Sequence, residues 1–349
     1  MAWKHSPVIP KTPLSVAQNA HRKSIRNEIH STVPRQALML RLYRNMVRIR
    51  AFETAVLENA KSGVSLAIHP YTGQEAVSTG VCSALRRQDK VVTNHRPFGH
   101  FISKGGSMNG LMAELYGKSN GVCKGLGGEM NLSEPEIGFL MSDMIVGACI
   151  TIATGAALKE KMDKTKNAVV CFFGEAASAN GAFHEGLMMA SLWGLPILYV
   201  CENNGYSTNT PAPEFLSNDI VAPRVAGYGM KTTLVDGADV IGVRQRTEEA
   251  LWQIRNGRGP CFIEAIVKRI GPHKQELVDS RLEDERRIAR MSDPVKIFRS
   301  QLMEERILND SIDFRMKAEA NAEVEEAIKF AEKGQRLTSE EAQRFVYSV

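Results

Sequence analysis

The chain has 349 residues, which is enough for one large α/β domain or two small ones. Its hydrophobic fraction of 43% and charged fraction of 24% are ordinary for a globular protein. No apolar run approaches the roughly 20 residues that a membrane span needs. The net charge of +5 is modest, and basic patches with interleaved aromatic residues are absent. We therefore expect neither a membrane protein nor a nucleic-acid-binding protein.

The positive charge is concentrated at the N-terminus, where residues 1–52 contain ten Lys or Arg and a single acidic residue, Glu28. Such a segment is typical of a basic arm for a partner, of a transit peptide or of a flexible extension. Four prolines, at positions 7, 10, 13 and 34, argue against a regular targeting helix. We predict an irregular basic extension over 1–35 and a cytoplasmic protein, or a mitochondrial matrix protein if the extension is a transit peptide.

The six cysteines are widely spaced and form no C-x-x-C pair. Several lie inside apolar segments, which favours reduced packing residues in a cytosolic protein over metal ligands or a thiol nucleophile.

Helical spacing of apolar residues predicts a helix over 36–61, with Gly63 as its stop. The long segment 99–147 is rich in glycine, which weakens helices, and we interpret it as a series of loops. After it, strand and helix patterns alternate, which predicts a parallel sheet with helices on both faces. The predicted strands cover 168–173, 196–201, 232–235 and 261–267, and the predicted helices cover 181–193 and 240–254. Peripheral helices should follow Glu304. We expect one α/β domain over 36–335 and a C-terminal tail over 336–349.

Polar segments follow the first two of these strands, where ligands bind in an open parallel sheet. Gly174, Glu175, Ala176 and Ala177 follow the first strand, and the segment 202–206 follows the second. One helix connects the strands, so they can be neighbours and the two loops can meet. A carboxylate from Glu175 and an amide oxygen from Asn204 would suit Mg²⁺, which also takes phosphate ligands. The alternative is an ordinary turn, because Asn-Asn-Gly is a common turn sequence.

The segment from Gly174 to Asn204 resembles the thiamine diphosphate motif, in which Gly-Asp-Gly precedes Asn-Asn at the next strand; Glu175 and Asn204 are 29 positions apart. Its flanks are more specific, and they occur in family order. They are HPYTGQEA at 69–76, MAELYG at 112–117, KGLGG at 124–128, IVGA at 145–148, GAFHE at 181–185 and ENNGY at 202–206. Over roughly residues 40–335, the chain is similar to the alpha subunit of the two-chain thiamine diphosphate-dependent 2-oxo acid dehydrogenases, near the pyruvate and acetoin members.

This resemblance implies a set of site residues. Mg²⁺ would be held by Glu175, Asn204 and the carbonyl of Tyr206. The diphosphate would be held by the pair His95 and Arg96, since guanidinium groups bind phosphate in a bidentate manner. The remaining implied contacts are those of the motif residues Gly174, Ala176 and Ala177, the aminopyrimidine contacts at Met144 to Val146, and the active-site histidines His69 and His273. His184 lies in the helix after the motif and is interpreted as a packing or interface residue.

The same resemblance implies decarboxylation of a 2-oxo acid such as pyruvate, or cleavage of acetoin, with transfer of the acyl unit to a lipoyl carrier. In this family the beta subunit supplies the glutamate that activates the cofactor, and the two chains form an α2β2 tetramer. We therefore expect this chain to be inactive alone and to need a beta subunit, with a lipoyl-bearing acyltransferase or another acyl carrier as a further partner.

The chain departs from the family pattern at several positions. Glu175 replaces the motif Asp, and Ala176 replaces the following Gly. His95 replaces a Tyr, Phe98 replaces a His, and Lys274 occupies the place of the phosphorylatable Ser, so the familiar kinase control is not expected. The stretch 178–181 is also unusual. Two alternatives follow: a paralogue that transfers a two-carbon unit as transketolase does, or a non-catalytic regulatory subunit that has lost its metal.

Overall fold

The computed structural model describes residues 34–59 and 68–346. Residues 1–33 of the predicted extension over 1–35 and the predicted helix stop at Gly63 lie outside these residues. From Gln36 onward the chain belongs to one compact unit.

The unit is built on a six-stranded sheet in which every pairing is parallel. The strand order is β2-β1-β3-β4-β8-β7. Its strands are β1 (Lys90–Thr93), β2 (Phe139–Ser142), β3 (Val169–Gly174), β4 (Ile197–Asn203), β7 (Lys231–Asp236) and β8 (Cys261–Ile266). A separate antiparallel pair consists of β5 (Tyr206–Ser207) and β6 (Thr210–Pro211). The predicted α/β class with a parallel sheet is confirmed.

Helices surround this sheet. They are α1 (Arg35–Asn59), α2 (Glu75–Ala84), α3 (Phe98–Lys104), α4 (Met108–Leu115), α5 (Ala148–Met162), α6 (Gly181–Leu192), α7 (Ala222–Ala226), α8 (Val240–Arg255), α9 (Glu283–Met291), α10 (Pro294–Glu304), α11 (Asp310–Lys333) and α12 (Ser339–Gln343). A membrane-spanning candidate is not found among the helices of the described ranges.

The two central strands, β3 and β4, are buried on both faces. Phe172 and Val200 belong to the core cluster on one face, whereas Phe173 and Cys201 belong to the cluster on the other. Burial on both faces explains why these strands appear in the sequence as continuous apolar runs. They pair directly, with Gly174 opposite Glu202, so the two polar loops that follow them start side by side.

The glycine-rich segment 99–147 is not simply a series of loops, and this prediction was wrong in part. It contains most of α3, all of α4, and β2. These elements form because Phe101, Leu111 and Met112 are fully buried in the core, and this tertiary packing outweighs the weak local helix preference.

The C-terminal helices form as expected, but α11 is not merely peripheral. Val324, Ala327 and Ala331 are buried against the core, where α11 packs on α4. The six cysteines are free, and five of them are buried, as expected for reduced packing residues.

A buried carboxylate on β8 anchors the start of α7. Glu264 is fully buried and accepts hydrogen bonds from Val221 N, Ala222 N and Asn203 Nδ2, at distances from 2.7 to 3.0 Å. We expect Glu264→Ala to lower the free energy of unfolding by about 3 kcal/mol or more, because buried donors lose their acceptors. Urea denaturation of the full chain measures this, with Glu264→Gln as the milder control. A loss below about 1 kcal/mol would show that the anchor contributes little.

Candidate functional site

A cavity of about 410 Å³ lies at the carboxyl ends of β1 to β4. This is the edge of a parallel sheet at which ligands bind. The cavity brings together all of the residues that the sequence predicted for the site: His69, His95, Arg96, Met144, Val146, Gly174, Glu175, Ala176, Ala177, Asn204, Tyr206 and His273. Their placement supports the predicted roles, and the roles themselves stay predictions.

The loops after β3 and β4 converge as predicted. Glu175 is fully buried, and its Oε2 accepts a hydrogen bond from Asn204 N at 3.1 Å. Among the described residues, its other oxygen, Oε1, has no hydrogen-bond partner although it is buried. Burial raises the pKa of Glu175 to about 7. An orphaned carboxylate oxygen in this position fits a site that binds a hard cation.

The tight turn after β4 places Asn204 and Tyr206 beside Glu175. Gly205 has a positive φ of 83°, which favours glycine at this position. The phenol of Tyr206 turns away and donates to Glu285 Oε1 at 2.5 Å, so a contact with a cation would fall to its backbone carbonyl. The donor set of Glu175, Asn204 and that carbonyl is all oxygen, which suits Mg²⁺.

Arg269 was not predicted, although it fixes this turn. Its Nε donates to Asn204 Oδ1 at 3.2 Å, and its Nη2 donates to Thr208 O at 3.0 Å. Burial lowers the pKa of Arg269 to about 9. The third guanidinium nitrogen, Nη1, is buried and finds no partner in the described part of the chain. Arg269 therefore adds a largely protonated group beside the predicted cation site.

Three imidazoles face one another across the cavity. The ring centroid of His69 is 4.9 Å from that of His95 and 5.1 Å from that of His273, and the centroids of His95 and His273 are 5.7 Å apart. Burial, reinforced by the charge of Arg96, lowers the pKa of His95 well below its usual value and that of His273 to about 3. Both rings are therefore neutral near pH 7 and available for hydrogen bonding.

Arg96 joins the two loops that carry these histidines. Its Nη1 donates to Pro70 O at 2.5 Å, next to His69. Its Nη2 donates to His273 O at 2.9 Å and to His273 Nδ1 at 3.0 Å. Burial lowers the pKa of Arg96 to about 10, which leaves it cationic at neutral pH. A buried cation at the edge of the cavity is suited to bind an anionic group.

The rim of the cavity is apolar and exposed. Met144, Ile145 and Val146 are 49%, 59% and 49% exposed although all three line the cavity.

Two of the residues that depart from the family pattern, Phe98 and Lys274, lie in different surroundings. Phe98 is buried in the core, whereas Lys274 lines the cavity and forms an ion pair with Glu276.

His184 lies outside the cavity on α6. It is exposed, and its Nδ1 is 2.6 Å from Tyr228 Oη, which agrees with a packing contact rather than a cavity residue.

Several cavity residues were missed. Asn94 and Asp143 directly follow β1 and β2, so the rule that found Glu175 would have found them if these strands had been recognised. Glu202 lies in the predicted segment 202–206, but no role was assigned to it. Gln74 is 1% exposed and lines the cavity, and neither of its amide atoms has a partner in the described ranges. Two unpaired amide atoms at a cavity wall indicate a polar ligand.

A buried acid supports the loop that carries His69. Glu53 on α1 accepts hydrogen bonds from Tyr71 N at 2.6 Å and Thr72 Oγ1 at 2.8 Å. Burial, with a contribution from the negative charge of Glu75, raises the pKa of Glu53 to about 8.

A raised carboxyl pKa gives stability at low pH that is lost as the pH rises toward the folded-state value. Relative to Glu53→Gln, the native chain should therefore lose unfolding free energy between pH 5 and pH 8, by at most about 1.4 kcal/mol per pH unit. Denaturant unfolding of both chains across this range measures the difference. Parallel stability curves would show that Glu53 ionises normally.

Comparison with known proteins agrees with this geometry. The family model for the dehydrogenase E1 component matches residues 43–340. The chain is 38% identical over 313 residues to the alpha subunit of acetoin:2,6-dichlorophenolindophenol oxidoreductase from Bacillus subtilis, an alignment that covers 89% of this chain and 93% of the relative.

Two further relatives are alpha subunits of related complexes. The pyruvate dehydrogenase E1 component subunit alpha of Porphyra purpurea is 32% identical over 321 residues, covering 89% of this chain and 93% of the relative. The 2-oxoisovalerate dehydrogenase subunit alpha of Bacillus subtilis is 31% identical over 312 residues, covering 88% and 94%. The family match and the relatives agree along nearly the whole chain, so the protein belongs to the dehydrogenase E1 component family, as an alpha subunit of the thiamine diphosphate-dependent 2-oxo acid dehydrogenase type.

Proposed function

We propose that the chain binds the diphosphate of thiamine diphosphate through Mg²⁺ and, with a beta subunit, decarboxylates a 2-oxo acid or cleaves acetoin. One observation carries the proposal. Among the described residues, the buried Glu175 Oε1 has no hydrogen-bond partner, and Glu175 lies beside Asn204 in a cavity that Arg96 also lines.

The residues that line the cavity offer ligands for a cation and donors for an anion. Glu175, Asn204 and the Tyr206 carbonyl would hold Mg²⁺, which keeps part of its octahedron for water and phosphate oxygens. Arg96 and His95 would contact the diphosphate. His95 Nε2 is buried with no partner in the described structure, and it can donate to a phosphate oxygen as the Nε2–H tautomer.

The other motif residues that line the cavity complete the cofactor contacts. Gly174, Ala176 and Ala177 would lie along the diphosphate, where a side chain larger than alanine would take up cavity space. Met144 and Val146 would contact the aminopyrimidine at the rim.

When bound, thiamine diphosphate supplies the nucleophilic carbon and the electron sink for decarboxylation. The chain's own contribution is to orient the substrate and to handle protons beside it. His69 and His273 are placed for this, because both line the cavity and can exchange hydrogen bonds with a substrate oxygen.

The substrate is inferred from the relatives, whose names specify acetoin, pyruvate and 2-oxoisovalerate. The acyl unit would pass to a lipoyl carrier. The exposed apolar rim at Met144, Ile145 and Val146 is suited to be covered by the beta subunit, which would close the cavity in an α2β2 tetramer.

The test is calorimetry and thermal unfolding of the chain co-expressed with its beta subunit. Thiamine diphosphate should bind only with Mg²⁺ and stabilise the complex by about 2.7 kcal/mol at a hundredfold excess over Kd. Carbon dioxide released from pyruvate, or turnover of acetoin, would identify the substrate. Turnover only with a ketose donor would replace this reaction with two-carbon transfer, and absence of any binding would indicate a regulatory subunit.

A further inference from the structure

A buried glutamate outside the predicted site grips one of the cavity histidines. Glu129 is 2% exposed, and its two oxygens bind the same residue. Oε1 accepts the backbone N–H of His69 at 2.5 Å, and Oε2 lies 3.2 Å from His69 Nδ1. Both carboxylate oxygens are thus used to fix the backbone and the ring of His69 together.

Glu129 is itself held by an ordered loop. The preceding segment 123–128 turns around the carboxylate of Glu114, which is 1% exposed. This carboxylate accepts four backbone N–H groups, from Cys123, Gly125, Gly127 and Gly128, at distances from 2.8 to 3.0 Å. Four hydrogen bonds to one buried carboxylate restrict this loop. Glu129 directly follows the loop and is therefore held on a rigid support.

These contacts decide which nitrogen of His69 carries a proton. An ionised carboxylate can only accept hydrogen bonds, so Nδ1 of His69 must donate to Glu129. In the neutral ring, Nε2 is then unprotonated and acts as an acceptor. His69 lines the cavity, and it therefore offers a basic nitrogen there.

In His273 the ring proton lies on the other nitrogen, Nε2. Its Nδ1 lies 3.0 Å from Arg96 Nη2, and a guanidinium group can only donate. Nδ1 of His273 must therefore accept, which places the ring proton on Nε2. The two rings are 5.1 Å apart, so an acceptor and a donor stand side by side in one cavity.

We propose that Glu129 is a positioning residue that presets His69 as the proton acceptor of the active site, while Arg96 presets the neutral His273 as a hydrogen-bond donor. The inference deepens the proposed function and rests on it. Such a pair can take a proton from one atom of a substrate at His69 and stabilise another atom by a hydrogen bond from His273, without prior rearrangement.

The variant Glu129→Gln tests this sharply. The backbone N–H of His69 still requires an acceptor, so the amide oxygen of Gln should take the place of Oε1. The amide NH₂ then faces Nδ1 of His69, which must change from donor to acceptor. The substitution should therefore move the ring proton to Nε2 and remove the basic nitrogen, with little change in shape.

Nitrogen-15 NMR of the histidine-labelled full chain reports this tautomer directly, with the His69 signals assigned by their loss in His69→Asn. We expect protonated Nδ1 in the native chain and in Glu129→Asp, and protonated Nε2 in Glu129→Gln. Glu136 is exposed and lies, like Glu129, in the glycine-rich segment 99–147. Glu136→Gln is therefore the matched control and should leave the His69 signals unchanged. Native Nδ1 protonation that persists in Glu129→Gln would overturn the inference, as would an unprotonated Nδ1 in the native chain.

Kinetics of the complex with the beta subunit provide the second readout. Glu129→Gln should lower kcat by about 10²- to 10⁴-fold and change the pH profile, while cofactor affinity stays close to native. Glu129→Asp should recover part of the rate because it keeps the carboxylate. Unchanged kcat in Glu129→Gln would refute the role of Glu129. If the native complex binds no thiamine diphosphate, the proposed function fails instead, and the NMR result is unaffected by that failure.

Discussion

Glu175→Gln is expected to abolish Mg²⁺-dependent binding of thiamine diphosphate, with affinity reduced by about 100-fold or more. The amide has the same size as the carboxylate but carries no charge. Arg96 and Arg269 both place positive charge near this point, and Glu175 is the buried acid that meets Asn204 there. Without it, a divalent cation would meet neutral ligands and two guanidinium groups, so calorimetry with Mg²⁺ and thiamine diphosphate should show no saturable heat.

The same variant should be no less stable than the native chain when cofactor is absent. The raised pKa of Glu175, about 7, means that burial penalises its ionised form, and an amide removes that penalty above neutral pH. The native chain should gain thermal stability from Mg²⁺ and cofactor, and the variant should not. The exposed Glu185→Gln on α6 is the matched control. Native affinity in Glu175→Gln would show that the cation is held elsewhere.

Arg96→Lys is the second substitution with a large expected effect. Arg96 donates to Pro70 O and to two acceptors of His273, and an ammonium group cannot span the same three positions in a planar fork. The loops that carry His69 and His273 would lose their common support. Since small displacements of catalytic groups can cost about 100-fold in rate, we expect at least that loss in kcat/KM.

Charge adds to this geometric effect. Burial lowers the pKa of Arg96 to about 10, and a lysine ammonium ionises about two units lower than guanidinium in water. The same burial would lower the pKa of a lysine in this place, so it would carry less positive charge than Arg96 and bind the diphosphate more weakly.

Steady-state kinetics and cofactor titration of Arg96→Lys and Arg96→Ala separate the two effects. Guanidinium ion added to Arg96→Ala should restore part of the activity, because it can refill the space and the charge. The exposed Arg87→Lys is the control. A native kcat/KM in Arg96→Lys would show that the planar guanidinium group, with its three hydrogen bonds, is not needed.

The sequence was most informative where local pattern and burial agree. The strands β3 and β4 are buried on both faces, so they appear as apolar runs, and the polar residues at their carboxyl ends mark the site. That reasoning needs only one helix between two strands, and the register of Gly174 with Glu202 confirms that the strands are neighbours.

The short strands β1 and β2 were not found, because a strand of four residues gives no clear period. Their burial depends on contacts made far along the chain. Without them, Asn94 and Asp143 could not be assigned to the edge of the sheet.

The partners of the site residues were missed for a similar reason. Glu129 binds His69 across 60 positions, and Arg269 binds Asn204 across 65. No local pattern encodes such pairs, since each side chain in isolation is an ordinary polar residue. Geometry was needed to show that Glu129 and Arg269 belong to the site.

The strand order β2-β1-β3-β4-β8-β7 has a consequence for synthesis of the chain on the ribosome. The cavity takes His69 from before β1 and His273 from after β8, so a nascent chain that ends before β8 lacks part of the wall. Only a chain that extends past Lys274 contains the complete wall. Cofactor binding would therefore stabilise a chain only after β8 and the loop that follows it have been synthesised and folded.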